Sequence, residues 1–139
     1  MDIRTYTVDI SLLLRPINRP DCRISISNQT QEFIVDQDTW IKLSLTGIGP
    51  YRLTVEHRNK RDSDPDTALI VEQIKFNEIT SPRFVWKGIY YPNYPCHMSG
   101  QSELKAHNYL SWNGIWQLEF TLPIYTWIHK IEDLGWIYD

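Results

Sequence analysis

Three aspartates at alternate positions in one segment, Arg58-Asn59-Lys60-Arg61-Asp62-Ser63-Asp64-Pro65-Asp66-Thr67, are the first residues whose spacing suggests chemistry. Asp62, Asp64 and Asp66 offer hard oxygen ligands of the kind Ca2+ takes, alongside carbonyls and water, in its flexible shell. The segment is not an EF-hand. Counting from Asp62, the position that needs glycine holds Thr67 and the position that needs a bidentate glutamate holds Gln73. Arg58, Lys60 and Arg61 offset the acidic charge, so a solvated turn of mixed charge is the competing reading.

A second group is aromatic. Trp86, Tyr90, Tyr91, Tyr94, Trp112 and Trp116 lie in or beside loop and turn sequences, several next to proline or glycine. Flat rings on a rigid rim stack on the apolar C–H faces of sugars while neighbouring amides and carboxylates bond hydroxyls, and they serve protein partners equally well. Tryptophan and tyrosine are also good strand and core residues, so about half of these rings are expected inside. Tyr90, Tyr91, Tyr94, Trp86 and Trp112 are the ligand-binding candidates, and the stretch Tyr90 to Pro95 is the one expected to be most exposed.

Catalytic constellations are harder to find. There is no Gly-x-Ser-x-Gly elbow and no Gly-x-x-x-x-Gly-Lys phosphate loop, and His57, His97, His107 and His129 have no metal-ligand spacing. A glycosidase needs two carboxyl groups at a set separation in space, and nothing in the sequence selects a pair. The chain is therefore read as a non-enzyme, with a small glycan hydrolase as the third choice.

Composition narrows the classes further. Fourteen Lys and Arg against 17 Asp and Glu leave a net charge of −3, without the positive excess that phosphate neutralisation on nucleic acid requires. No apolar run approaches the roughly 20 residues of a bilayer span. With 42% hydrophobic and 13% aromatic residues, the 139-residue chain is too apolar for disorder. The amino terminus lacks a secretory signal pattern, which predicts cytosolic synthesis with Cys22 and Cys96 as two free thiols and the Asn28-Gln29-Thr30 sequon unused.

The elements that must hold these residues repeat with a period of two. Cys22, Ile24 and Ile26 alternate with Arg23, Ser25 and Ser27, as one face of a half-buried strand. Ile41, Leu43 and Leu45 repeat the pattern, and Tyr51, Leu53, Val55 and His57 repeat it after Gly47-Ile48-Gly49-Pro50, which predicts a hairpin. Ala68 to Phe76 reads as a central strand. Asn113-Gly114 suits a two-residue type I′ turn into a strand carrying Trp116, Leu118, Phe120 and Leu122 on one face, ended by Pro123. The last strands are read at Tyr125 to His129 and Trp136 to Tyr138, with a short helical segment over Ile131 to Leu134. Two long connections, Asn59 to Asp66 and Tyr91 to Lys105, are where function is expected. The fold class is all-β, an antiparallel jelly-roll-like β-sandwich, as a single domain over 1–139.

Two resemblances accompany this reading. The segment from Asp66 through Ala68-Leu69-Ile70-Val71 to Phe76-Asn77 resembles a strand of calcium-dependent, xylan-binding carbohydrate-binding modules, in which an aspartate precedes an apolar strand. That likeness implies a small β-sandwich with Ca2+ in a rim loop, Asp66 as a ligand, and Asp62 and Asp64 beside it. Asn77-Glu78 stands where the modules have glycine. The longer stretch from Tyr109-Leu110-Ser111-Trp112-Asn113-Gly114 through Pro123 to Trp136-Ile137-Tyr138 resembles small virion-associated proteins of tailed phages, cyanophages especially. It implies synthesis in the host cytoplasm and a place in a virion.

Together these give a non-catalytic glycan-binding β-sandwich in a phage particle, with Ca2+ as the candidate cofactor and a glycan or other virion proteins as partners. The alternative is a purely structural virion protein, a capsid decoration or tail component acting through protein contacts. No nucleic acid or membrane span is expected, and exposed strand edges leave a homo-oligomer open.

Overall fold

Val8, Ile10, Leu12 and Leu14 alternate along a twelve-residue strand, and all four are buried. This strand, β1 (Tyr6–Ile17), is followed by β2 (Asp21–Ile26), β3 (Gln29–Ile34), β4 (Thr39–Gly47), β5 (Gly49–Arg58), β6 (Ala68–Phe76) and β7 (Ile79–Thr80). A short helix α1 (Pro82–Trp86) precedes β8 (Ile89–Pro92), β9 (Leu104–Lys105), β10 (Tyr109–Leu110) and β11 (Gly114–Leu122), and α2 (Ile124–Ile131) follows. The computed structural model describes residues 5–61, 63, 66–94, 100 and 102–132.

The strands form two antiparallel sheets. One has the order β10-β6-β1-β4 with β7 also on β6, and the other has the order β3-β2-β5-β11-β8-β9. Their inner faces meet in one core, to which Ile24, Leu53, Val55, Trp116, Leu118 and Phe120 contribute from the second sheet and Leu69, Val71, Ile74 and Phe76 from the first. The β-sandwich expected from the period-two pattern is the observed fold. Among the described residues no helix is long and apolar enough to cross a membrane. Cys22 is a free thiol within the core, and burial, with the Asp21 charge beside it, pushes it up to about 12. Cys96 lies outside the described residues.

Three local expectations fail. β4 and β5 are not a hairpin: β4 pairs with β1, whereas β5 pairs with β2 and β11. A single residue, Ile48, separates them, too few for a two-residue reversal, so the chain turns a corner into the opposite sheet. Gly49 makes that corner at φ +92°.

Asn113-Gly114 is likewise a crossover. The strand before it, β10, pairs with β6 in one sheet, while β11 starts at Gly114 in the other. Gly114 is required by close approach, because a Cβ there would lie 2.4 Å from the Tyr91 carbonyl oxygen and 2.7 Å from Pro92 Cα.

The expected strand over Tyr125 to His129 is the helix α2. Ile124 and Ile128 are buried and Trp127 and Ile131 pack against the core, the i, i+3, i+4, i+7 spacing of a helix face. Tyr125, Trp127 and His129 also fit an alternating pattern, which is why the sequence reads as a strand there. The Trp127 ring closes that end of the sandwich, edge-on to Phe76 at 5.5 Å between centroids. Trp136 to Tyr138 lie outside the described residues.

Candidate functional site

The ladder between β8 and β11 decides which aromatics face solvent. Tyr90 pairs with Trp116 and Tyr91 with Ile115. Because side chains alternate between faces, Tyr90 and Trp116 point into the core, both fully buried, while Tyr91 lies with Ile115 on the outer face. The Tyr90 hydroxyl donates to the Trp112 carbonyl and accepts from the Trp112 amide at 3.1 Å. Burial pushes its phenol well above the ordinary range. Tyr90 is therefore a structural ring with no face for a ligand, which corrects its assignment to a binding rim.

Trp112 is corrected in the same way. It is 8% exposed, and its ring is covered by the Lys60 ammonium 4.7 Å from the centroid. That ammonium also donates to the carbonyls of Thr67 at 2.8 Å and Ser111 at 2.6 Å, tying the β5–β6 connection to the β10–β11 crossover. Asn113 completes the stitch. Its side-chain oxygen accepts from the Lys60 amide at 2.8 Å, its side-chain nitrogen donates to the Lys60 carbonyl at 3.0 Å, and its carbonyl accepts from the Asn93 amide at 2.6 Å. The Asn-Gly pair read as a turn signal is a clamp between the two long connections.

At this end of the six-stranded sheet Arg58, the last residue of β5, and Asn59 after it reach across to β2 and β3. Arg58 Nε donates to Asp21 Oδ1 at 3.0 Å, a second Arg58 nitrogen reaches Glu32 Oε2 at 3.1 Å, and Asn59 Nδ2 donates to Asp21 Oδ2 at 2.6 Å. Arg23 Nε holds the other Glu32 oxygen at 2.9 Å. Hydrogen bonds from Arg58 and then Arg23 keep the Glu32 carboxyl below its ordinary range, and Asp21 raises the Arg58 guanidinium. Asn59 sits at φ +61°, a left-handed conformation that asparagine tolerates.

Two clefts flank this network. The first, about 430 Å³, is walled by Asn18, Arg19, Asp21, Lys60, Ser63, Asp66 and Thr67. The second, about 460 Å³, is walled by Glu56, Tyr91, Asn93, Asn113, Gly114 and Ile115. His57, Arg58 and Asn59 line both. His57 is fully buried beneath them; its Nδ1 lies 2.9 Å from the Leu110 carbonyl, and burial holds its pKa below the ordinary value.

The structure thus brings two predicted residues together. Asp66, exposed, stands on the first cleft, and Tyr91, half-buried, stands on the second, across the shared Arg58-Asn59 wall. Asp62 and Asp64 lie outside the described residues. Among the described residues no three His, Cys, Asp or Glu side chains converge as a metal site. The carboxylate of Asp21 in the first cleft is engaged by Arg58 and Asn59, so Asp66 is the acid there without such a partner among the described residues. Tyr94 is half-buried and packs where a Cβ on Gly100 would lie 2.6 Å from its ring, and it lines neither cleft. Trp86 is 59% exposed on α1 and lines a separate 310 Å³ hollow with Glu72, Gln73, Thr80 and Asn108.

Sequence reasoning missed Asp21, His57, Arg58, Asn59 and Asn113 as site residues. Asn59, opening a long connection, and Asn113, in an Asn-Gly pair, carried local signals; Asp21, His57 and Arg58 meet through strand register.

No protein-family profile and no curated protein sequence matches the chain. Among solved structures it is similar to vCBM60 in complex with galactobiose, at 15% identity and a TM-score of 0.53, over 79% of this chain and 96% of that one. The selenomethionine form of vCBM60, described as linking two families of calcium-dependent carbohydrate-binding modules by circular permutation, matches at 16% identity and a TM-score of 0.53. That comparison covers 80% of this chain and 89% of the other.

Proposed function

We propose that the chain is a non-catalytic glycan-binding β-sandwich that holds sugar across the two clefts divided by Arg58 and Asn59. The observation that carries this reading is the placement of the outward Tyr91 on one cleft and the Asp66 carboxylate on the other, around a hydrogen-bonded wall of fixed geometry. A half-exposed ring supplies a stacking face, and amides and carboxylates supply hydroxyl partners, the usual division of labour in sugar recognition. The fold likeness to a module solved with galactobiose supports the same reading.

Binding is favoured over hydrolysis by the state of the acids. Asp21 and Glu56, the carboxylates that line the clefts besides Asp66 among the described residues, are each held by arginine, so Asp66 has no second uncommitted carboxyl group there of the kind a glycosidase pair needs. Calcium enters the proposal through Asp62, Asp64 and Asp66 acting together. Asp66 alone, beside Arg19, Arg58 and Lys60 in the first cleft, makes no shell for the ion. The phage-particle setting rests on the resemblance of the C-terminal segment and concerns where the module works, leaving the site unchanged.

A glycan array run once with calcium and once with a chelator tests the proposal. Selective binding supports the module, and its loss in chelator supports the calcium ligands. A folded protein that binds no glycan in either condition overturns it and favours a structural component whose aromatics meet protein.

A further inference from the structure

Tyr91 has a second environment. Beyond the 460 Å³ cleft it also lines a larger one, about 590 Å³, between the outer face of β8 and β11 and the end of α2. Along the ladder, Ile115 opposite Tyr91 belongs to the second cleft, and Gln117 opposite Ile89 belongs to this third one. Both are two residues apart on one strand, so the two clefts follow one another in steps of about 7 Å along the sheet.

The third cleft differs in charge. Lys87, just after α1, and Lys130, in the last turn of α2, both line it, and neither is ion-paired with a described residue. The carboxylate among its lining residues, Glu119, is held by Arg52 at 2.7 Å on the neighbouring strand. The cleft therefore presents two ammonium groups without an ion-pair partner among the described residues, together with the Gln117 amide and the aromatic residues Tyr91 and Trp127. A neutral sugar leaves those ammonium groups without a counter-charge, whereas a carboxylate at that position gains charge-assisted hydrogen bonds from them.

We propose that this third cleft is an acidic-sugar subsite, in which Lys87 and Lys130 bind the carboxylate of a uronate unit while the rest of the oligosaccharide continues past Tyr91. This rests on the glycan-binding reading above and names the class of glycan: a chain carrying uronic acid.

The test uses the whole protein and paired probes. Oligogalacturonates and glucuronate-bearing xylo-oligosaccharides are titrated calorimetrically beside their methyl-esterified forms, which keep the sugars and lose the charge, and beside neutral galacto- and xylo-oligosaccharides. The free acids should bind about tenfold more tightly than their esters, with an advantage that shrinks as salt rises. The double variant Lys87→Ala, Lys130→Ala should remove that advantage and leave neutral-sugar affinity unchanged. Equal affinity for acid and ester, or a preference that survives the double variant, overturns the subsite while leaving the glycan-binding reading in place. Failure of every oligosaccharide to bind overturns both.

Discussion

Tyr90 and Trp112 hold each other by two hydrogen bonds through a single hydroxyl, which accepts from the Trp112 amide and donates to the Trp112 carbonyl. The pair pins the crossover from β10 to β11 to the inner side of β8. On that crossover Asn113 clamps Lys60 and Asn93, and on the other side of β8 Tyr91 faces the clefts.

Removing the hydroxyl should therefore cost stability. Tyr90→Phe leaves a buried amide and carbonyl without their partner, an expected loss of about 1–3 kcal/mol in urea denaturation. Tyr91→Phe, on the outer face, should leave the denaturation midpoint unchanged. Equal effects of the two would break the assignment of one ring to the core and the other to the surface.

Stacking makes the opposite prediction for ligand affinity. Tyr91→Ala should weaken sugar binding by about 1 kcal/mol, roughly fivefold, and leave any calcium response intact. Titration calorimetry with the best glycan from the array measures it. Unaltered affinity would take Tyr91 out of the site.

Calcium linkage is read from melting. An ion bound only by the folded loop stabilises the protein by about 2.7 kcal/mol at a concentration 100 times its dissociation constant. The midpoint should rise in calcium over chelator, and Asp66→Asn should reduce that rise. Identical melts in calcium and chelator would strike calcium from the proposal.

Acid should destabilise the fold in two stages. Burial lowers the His57 pKa below its ordinary 6.5, so as pH falls below about 6.5 the unfolded chain takes up the proton first. Stability from neutral His57 is complete above that value and declines between it and the lower folded value. Glu32, lowered from 4.5 by Arg58 and Arg23, contributes stability that is present above 4.5 and lost as pH falls through its folded value. Urea midpoints between pH 7.5 and 5 should fall with pH, and His57→Gln should flatten that slope. A slope unaffected by the substitution would place the upper stage in another group.

How much of this was legible beforehand follows from the reach of each signal. Alternation at Cys22 to Ile26 and at Trp116 to Leu122 is a property of one strand, and the residues it assigned to the inside are buried. Both mistaken hairpins, at Gly47 to Pro50 and at Asn113-Gly114, placed a reversal where the chain changes sheet. Local turn chemistry is similar in the two cases, and only the identity of the partner strand separates them.

The fold class follows from the period of two, because with few helical stretches in the chain the apolar face it creates is covered mainly by a second sheet. The sequence by itself also marked Asp66 and Tyr91 as chemically suited to a site. Tertiary structure decided that Tyr90 is core and Tyr91 is surface, since a strand's two faces are equivalent until pairing and packing choose one. It alone joined Asp21, Arg58 and Glu32, which lie 37 and 26 residues apart along the chain and become neighbours through the register of β2, β3 and β5.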